Sequence, residues 1–406
     1  MGVEGCAQRV RTEFDLNPNQ FSGLRPKSGH ARMTRAREGC TFSSMANSTP
    51  SRLAAVAAAR FRSVVLLSIV MDLPVLARVA NALTREPRVE SLQVDGVSVE
   101  ITCPAGRGPW PAFVFVTGAH PLRRQEPVVQ RVAQGLARAG YVAVVPDLPG
   151  LGSGELTVRT IEAAAKVIEA AVARPDVRER RVALAGASTG ASIALIAAAR
   201  PELTRHVSLV AAVAPFADIE RIACLATTRS YEEDDGAMVE YAVTALLRRA
   251  VARSLVACLR DARDRDLLLD RIGTIEEESD ALEALEVELD GLGPETQTVV
   301  RLLTNRDPAR FRDFYGALPP DMLSTLRELS PLAQATSLAV PVELAVPPQD
   351  PYFPFREAST LAESLPNVRL TVTSTLDHTR PTASLRGLRD LARFDGFVVR
   401  TLAGAA

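Results

Sequence analysis

Ser188 lies in Gly186-Ala187-Ser188-Thr189-Gly190, a G-x-S-x-G pentapeptide. The run 182–185 leading into it is apolar, and the run 191–199 leading out is alanine-rich, which reads as a buried strand, a tight turn and a helix. A serine at so sharp a turn sits in a strained backbone conformation, and strand and helix backbones pass close on either side. Only residues with little or no side chain fit two positions away. The serine is thereby pushed out at a helix N-terminus, where the amide of Thr189 has no intrahelical acceptor and can donate to a developing anion. Taken alone the pentapeptide is a weak signal, because Gly/Ser-rich turns also have purely structural uses.

A serine hydroxyl is a poor nucleophile until an imidazole takes its proton, and the imidazole in turn needs a carboxylate to hold its tautomer and stabilise its cation. The chain has four histidines. His30 lies in the N-terminal segment, and His206 precedes a strand at its base. His120 follows the apolar run 112–116 and can line a pocket. His378 follows the run 368–373, downstream of the serine, and has the order and position of a base. For the acid, Asp350 follows the run 340–346. Asp218, just past the run 207–213, is its rival. Asp377 is discounted, because neighbouring side chains in extended chain point apart. Asp147, after the run 141–145, is expected to brace the loop 149–152.

The elements that must position these groups alternate. Residues 89–94 and 97–102 read as strands joined by the hairpin turn Asp95-Gly96. The runs 112–116, 141–145, 182–185 and 207–213 suit strands buried on both faces, and helical patterns over about 127–139 and 158–173 separate the earlier ones. This predicts an α/β fold: a mostly parallel sheet with helices on both faces and its site at the strands' C-terminal ends. From 219 to 330 the strand signal vanishes into helical pattern. The charged groups Glu276-Glu277-Glu278 and Asp261, Asp264 and Asp266 there read as solvated helix faces. Sheet signals resume at 340, so the helical stretch is an insertion placed to roof the site. The expected division is a disordered tail over 1–50, an apolar helical segment over 51–84, core over 85–218, a helical cap over 219–330 and core again over 331–406.

Composition excludes several classes. The 406 residues are 47% apolar with a formal net charge of −1, so no global field favours nucleic acid, and few aromatics are present to stack bases. Five scattered cysteines without C-x-x-C spacing indicate reduced thiols and no metal cluster. The run 64–71 is too short for the roughly 20 residues of a membrane span. It fits a helix packed on the body or resting on a membrane surface. It also fits the core of an export signal starting at Met45, with Arg52, Arg60 and Arg62 before it and Ala80-Asn81-Ala82 after it; Asp72 and Pro74 count against that. The expectation is a cytoplasmic protein, membrane-associated or exported if 51–83 acts in one of these ways.

The elbow at Ser188, Pro146-Asp147-Leu148-Pro149-Gly150-Leu151-Gly152-Ser153, Thr117-Gly118 after a buried strand, and the late Asp350 and His378 together resemble the α/β-hydrolase superfamily. The resemblance covers about 88–218 and 331–395 and is closest to the esterase, dienelactone-hydrolase-like and peptidase-like branches. It implies an eight-stranded sheet whose second strand is antiparallel, with a cap between the sixth and seventh strands. It implies Ser188 as nucleophile, His378 as base, Asp350 as acid, and the amides of Thr189 and Ala119 as oxyanion donors, with no cofactor or metal and a small-molecule acyl substrate. Thr117 stands where many members have histidine, and Ser188 replaces the cysteine of true dienelactone hydrolases, so their specificity does not carry over. The expected activity is ester hydrolysis through an acyl-enzyme; an acyltransferase and a non-catalytic binding protein are the alternatives.

Overall fold

The computed structural model describes residues 49–233, 235–274, 282, 285, 290–382 and 387–406. The tail expected over 1–50 therefore lies, up to residue 48, outside the described residues, as do His30 and Glu276-Glu277-Glu278. The described chain opens with helices α1 (Thr49–Val70) and α2 (Pro74–Leu83). Strands β1 (Arg88–Val94) and β2 (Val97–Cys103) follow as an antiparallel hairpin. Asp95 and Gly96 both take positive φ, 47° and 82°, as the two-residue turn requires.

Next come β3 (Ala112–Val116), α3 (Pro127–Arg138), β4 (Val142–Pro146), α4 (Val158–Ala173), β5 (Val182–Ala187), α5 (Thr189–Ala198) and β6 (Val207–Val213). The insertion contains α6 (Ile219–Thr228), a ribbon of β7 (Ser230–Glu232) and β8 (Met238–Glu240), α7 (Ala245–Ala257), α8 (Ala262–Gly273), α9 (Pro294–Thr304), α10 (Pro308–Gly316), α11 (Pro320–Glu328) and α12 (Pro331–Gln334). The chain then completes β9 (Val342–Val346), α13 (Phe355–Ser364), β10 (Val368–Val372), the hairpin of β11 (Leu376–Asp377) and β12 (Arg380–Pro381), and α14 (Leu388–Ala405).

The main sheet has eight strands in the order β1-β2-β4-β3-β5-β6-β9-β10. β2 runs antiparallel to both its neighbours, and every other pair outside that hairpin is parallel. Two-residue alternation splits the strands between two cores. Val114, Val144, Leu184 and Val210 join one with α4 and α5; Phe113, Val145, Ala183 and Leu209 join the other with α1, α3 and α14.

Two features of the insertion depart from the sequence reading. The β7–β8 ribbon is too short for periodicity to reveal it, with three residues per strand. Asp264 is not on a solvated face. It is 5% exposed and accepts the Gly293 amide at 2.8 Å, so it ties α8 to the start of α9. Asp261 caps α8 by accepting from the Asp264 amide at 3.0 Å.

α1 packs its apolar stripe, Val65, Leu66, Ile69 and Val70, into the second core between α3 and α14. Gly135 permits the close approach, since a Cβ there would lie 2.7 Å from the Leu66 side chain. Arg62 donates to the Tyr141 hydroxyl at 3.2 Å, which itself donates to the Leu402 carbonyl at 2.7 Å. Among the described residues no helix is long and apolar enough to cross a membrane.

Candidate active site

β5 delivers Ser188 to the sheet's C-terminal edge at φ 53°, ψ −129°, a conformation that costs on the order of 1–3 kcal/mol for a non-glycine residue. The two flanking glycines explain how it is tolerated. A Cβ on Gly186 would lie 2.3 Å from the Gly190 carbonyl oxygen. A Cβ on Gly190 would lie 2.3 Å from the carbonyl oxygens of both Val116 and Thr117. The turn is thus clamped against its own helix and against the end of β3. The Ser188 amide adds a hydrogen bond to the Val213 carbonyl at 2.8 Å.

β9 and β10 bring the other two groups. In the loop after β9, one oxygen of Asp350 accepts the amides of Tyr352 at 2.7 Å and Phe353 at 3.1 Å. His378 lies at the tip of the β11–β12 hairpin with φ 52°, which turns it back toward the sheet. Its Nδ1 meets the two Asp350 oxygens at 2.8 and 3.0 Å. The side chains are 12% and 6% exposed, so the pair is largely shielded from water. The Tyr352 and Phe353 rings pack on the imidazole, with centroids 4.4 and 5.8 Å away. The hairpin is anchored from outside by Arg380, which donates to Glu126 at 3.1 Å.

Ser188, His378, Thr189 and Ala119 border one cavity of about 530 Å³. The hydrogen bond from the Ser188 hydroxyl to the His378 ring is not formed in this structure; in ligand-free sites such bonds are often long and tighten only around substrate. The segment carrying Ala119 runs beside the serine, since a Cβ on Gly118 would lie 3.2 Å from the Ser188 Cβ. Helix α7 of the insertion supplies Leu246, Leu247 and Ala250 to the cavity wall.

The remaining candidates sort by position. His120 lines the cavity mouth, accepts the Leu122 amide at 3.3 Å and lies 3.9 Å from Glu126. Asp218 accepts the Glu220 amide at 2.8 Å as the N-cap of α6, and borders a separate polar cleft. Asp147 does not brace the loop 149–152. Its carboxylate pairs with the Arg124 guanidinium and accepts the Arg124 amide at 3.3 Å, so it holds the segment after β3. The loop 149–152 is held instead by Thr160, which donates to the Pro149 carbonyl at 3.0 Å. His206 faces the opposite end of the sheet, with Nδ1 3.0 Å from the Arg180 carbonyl oxygen.

Sequence reasoning missed three contributors. Tyr352 and Phe353 follow Asp350 directly, and two aromatics beside a candidate acid are a usable signal. Tyr241 has none: it lies in the insertion, 109 positions before Asp350, and donates its hydroxyl to the Asp350 backbone carbonyl. Burial, then the nearby Asp350 charge, hold that phenol well above its ordinary value, so it stays a donor. Burial likewise pushes the thiols of Cys103 and Cys258 up to about 11, leaving them protonated at neutral pH. Among the described residues no group of three or more His, Cys, Asp or Glu could hold a metal ion.

The sequence matches the family model of X-Pro dipeptidyl-peptidase (S15 family) over residues 95–269. No curated protein matches it. Similar solved structures include 2,6-dihydroxy-pseudo-oxynicotine hydrolase, at 15% identity over 80% of this chain and 71% of that one, with a TM-score of 0.45. Est1E from Butyrivibrio proteoclasticus is similar at 13% identity, covering 78% and 99% of the two chains, with a TM-score of 0.41. Brefeldin A esterase, a bacterial homologue of human hormone sensitive lipase, is similar at 19% identity over 91% and 88%, with a TM-score of 0.42. The strand order with one antiparallel second strand and the serine turn are those of the α/β-hydrolase fold, and the family match lies within it.

Proposed function

We propose that the protein cleaves a carboxylic ester, or a related acyl bond, with Ser188 as nucleophile, His378 as general base and acid, and Asp350 as the carboxylate that orients the ring. The observation that carries this reading is the Asp350–His378 pair at the wall of the cavity that also holds Ser188 on its strained turn. With Nδ1–H donated to Asp350, the neutral ring keeps Nε2 as a proton acceptor. Nε2 takes the Ser188 proton as Oγ bonds to the carbonyl carbon. The amides of Thr189 and Ala119 receive the oxyanion, each such donor being worth about 3 kcal/mol. The ring returns the proton to the leaving oxygen as the C–O bond breaks, and water repeats the sequence to free the acid.

A fluorophosphonate labels Ser188 on this reading. Ser188→Ala and His378→Ala each lose on the order of 10⁴-fold or more in kcat/KM, and Asp350→Asn loses less. Full activity in Ser188→Ala overturns the assignment. Failure of the serine to label returns the chain to a non-catalytic binding role. The S15 family match supports a second reading, an amine leaving group, and an X-Pro p-nitroanilide assayed beside the esters separates the two. Acyl transfer that exceeds hydrolysis at modest alcohol or thiol concentration identifies an acyltransferase.

The outer face of α1 and α2 supports peripheral membrane contact. Phe61, Val64, Val75, Leu76 and Val79 are exposed there with Arg60 and Arg78. Sedimentation with anionic vesicles checks it, and no co-sedimentation removes it.

A further inference from the structure

The cavity at Ser188 does not stop at the reacting atoms. It continues along the sheet face that α3 and α14 cover, as far as Leu66, Leu67 and Val70 of α1. Its lining on α3 extends from Val128 to Leu136, and on α14 from Phe394 to Leu402. Eight helical steps of about 1.5 Å make a wall about 12 Å long on either side. Leu67, Phe115, Val128, Val132, Ala185 and Val213 are only partly buried, although each packs against the fully buried second core. All six line this hollow.

The sequence explains the space. Ala185 of β5 pairs in register with Ala211 of β6, so two methyl groups occupy the centre of the sheet face where larger strand residues would fill it. Beyond the mouth the lining is aliphatic and aromatic, except for Thr117 beside the serine turn and Thr401, whose hydroxyl has no hydrogen-bond partner. An apolar hollow between two helices that reaches the nucleophile suits a flexible chain of methylenes, with no charge to neutralise beyond its mouth.

We propose that this hollow is the acyl-chain site, and that the natural acyl group is an unbranched aliphatic chain of medium to long length whose far end meets α1. The proposal rests on the triad reading for its orientation, with the carbonyl at Ser188 and the methylenes between α3 and α14. α1 thereby sets the chain length, as the wall that closes the hollow.

The test is a series of p-nitrophenyl esters, from acetate through octanoate and laurate to palmitate, together with binding of a fluorescent long-chain fatty acid to the Ser188→Ala protein. A fully buried methylene contributes up to about fourfold in binding, so kcat/KM is expected to rise at least about tenfold from acetate to octanoate. Val132→Trp places an indole into the hollow from the α3 wall, and Leu67→Trp places one there from the α1 end. Each is expected to lower the laurate-to-acetate ratio of kcat/KM at least about tenfold and to weaken fatty-acid binding correspondingly. Two variants on different helices guard against a single folding failure, which circular dichroism detects. Esters cleaved without preference for length, or a laurate-to-acetate ratio unmoved in both folded variants, overturns the proposal. If Ser188 neither labels nor cleaves any ester, the triad reading has failed, and the fatty-acid measurement alone decides: binding lost in the tryptophan variants supports the channel, and no binding to the unfilled protein ends it.

Discussion

Helices α4 and α5 cover one face of the sheet closely: every residue of α5 from Gly190 to Ala198 is buried, most at 0% exposure. Helices α1, α3 and α14 cover the other face, yet Val128 and Val132 of α3 and Ala185 and Val213 of the strands beneath retain exposure. The difference follows from what each face supports. The strained serine starts α5, so the packing of that helix holds a conformation that would otherwise relax. The second core borders the cavity, and α1 covers it from outside between α3 and α14. A packed face that stores strain beside a hollow face that can accept a ligand is a division of labour within one sheet.

The sharpest way to break that comparison is Gly190→Ala. Its Cβ would meet two backbone oxygens at 2.3 Å, and neither has a flexible side chain to move. The expected result is loss of more than about 4 kcal/mol or failure to fold, read by denaturant melts. Truncation on each face then compares them directly. Leu195→Ala on α5 should cost about 2–5 kcal/mol, whereas Val132→Ala on α3 should cost under about 1 kcal/mol, because the methyls removed already border empty space. Equal costs would mean that the second face is as tightly filled as the first.

The smallest effect concerns Glu357 of α13, which joins the packed side to the exit of β6. Its carboxylate accepts the Ala217 amide at 2.7 Å and the Asp218 amide at 3.1 Å, with Arg221 at 3.7 Å and the Asp218 carboxylate nearby. Burial raises its pKa despite the two amides and Arg221. A carboxyl whose folded value is raised contributes its full stability below the ordinary carboxylate range and loses it as pH rises through the folded value. Glu357→Gln stays neutral throughout. Its stability relative to the native protein should therefore improve as pH rises across that window, measured as the difference in Tm between acid and neutral buffers. A pH-independent difference would show that Glu357 titrates in the fold as it does in the unfolded chain.

Much of the fold was legible because its signals are local. Apolar runs of four to seven residues announced the buried strands, and Asp95-Gly96 marked the first hairpin. Gly186 and Gly190 marked the serine turn because only backbone contact on both sides forbids a Cβ there. The rest failed for a shared reason: Asp147, Asp264 and Tyr241 are polar groups whose partners lie far away in the chain. A polar residue looks the same in sequence whether water or a distant amide satisfies it. Asp264 therefore read as solvated, and Asp147 was assigned to the loop next to it when its partner is Arg124.

Residue type and order alone determined the chemistry available to this chain: one serine on a strained turn, followed by a carboxylate and a histidine at the ends of later strands. Those are properties of local backbone geometry and of strand order, which a linear pattern carries. Tertiary structure alone decided that Tyr241 of the insertion holds the acid loop, that Tyr352 and Phe353 enclose the imidazole, and that an apolar hollow runs from the serine to α1. Each depends on how closely separately folded layers approach, and a gap between helices leaves no trace in the periodicity of any one of them.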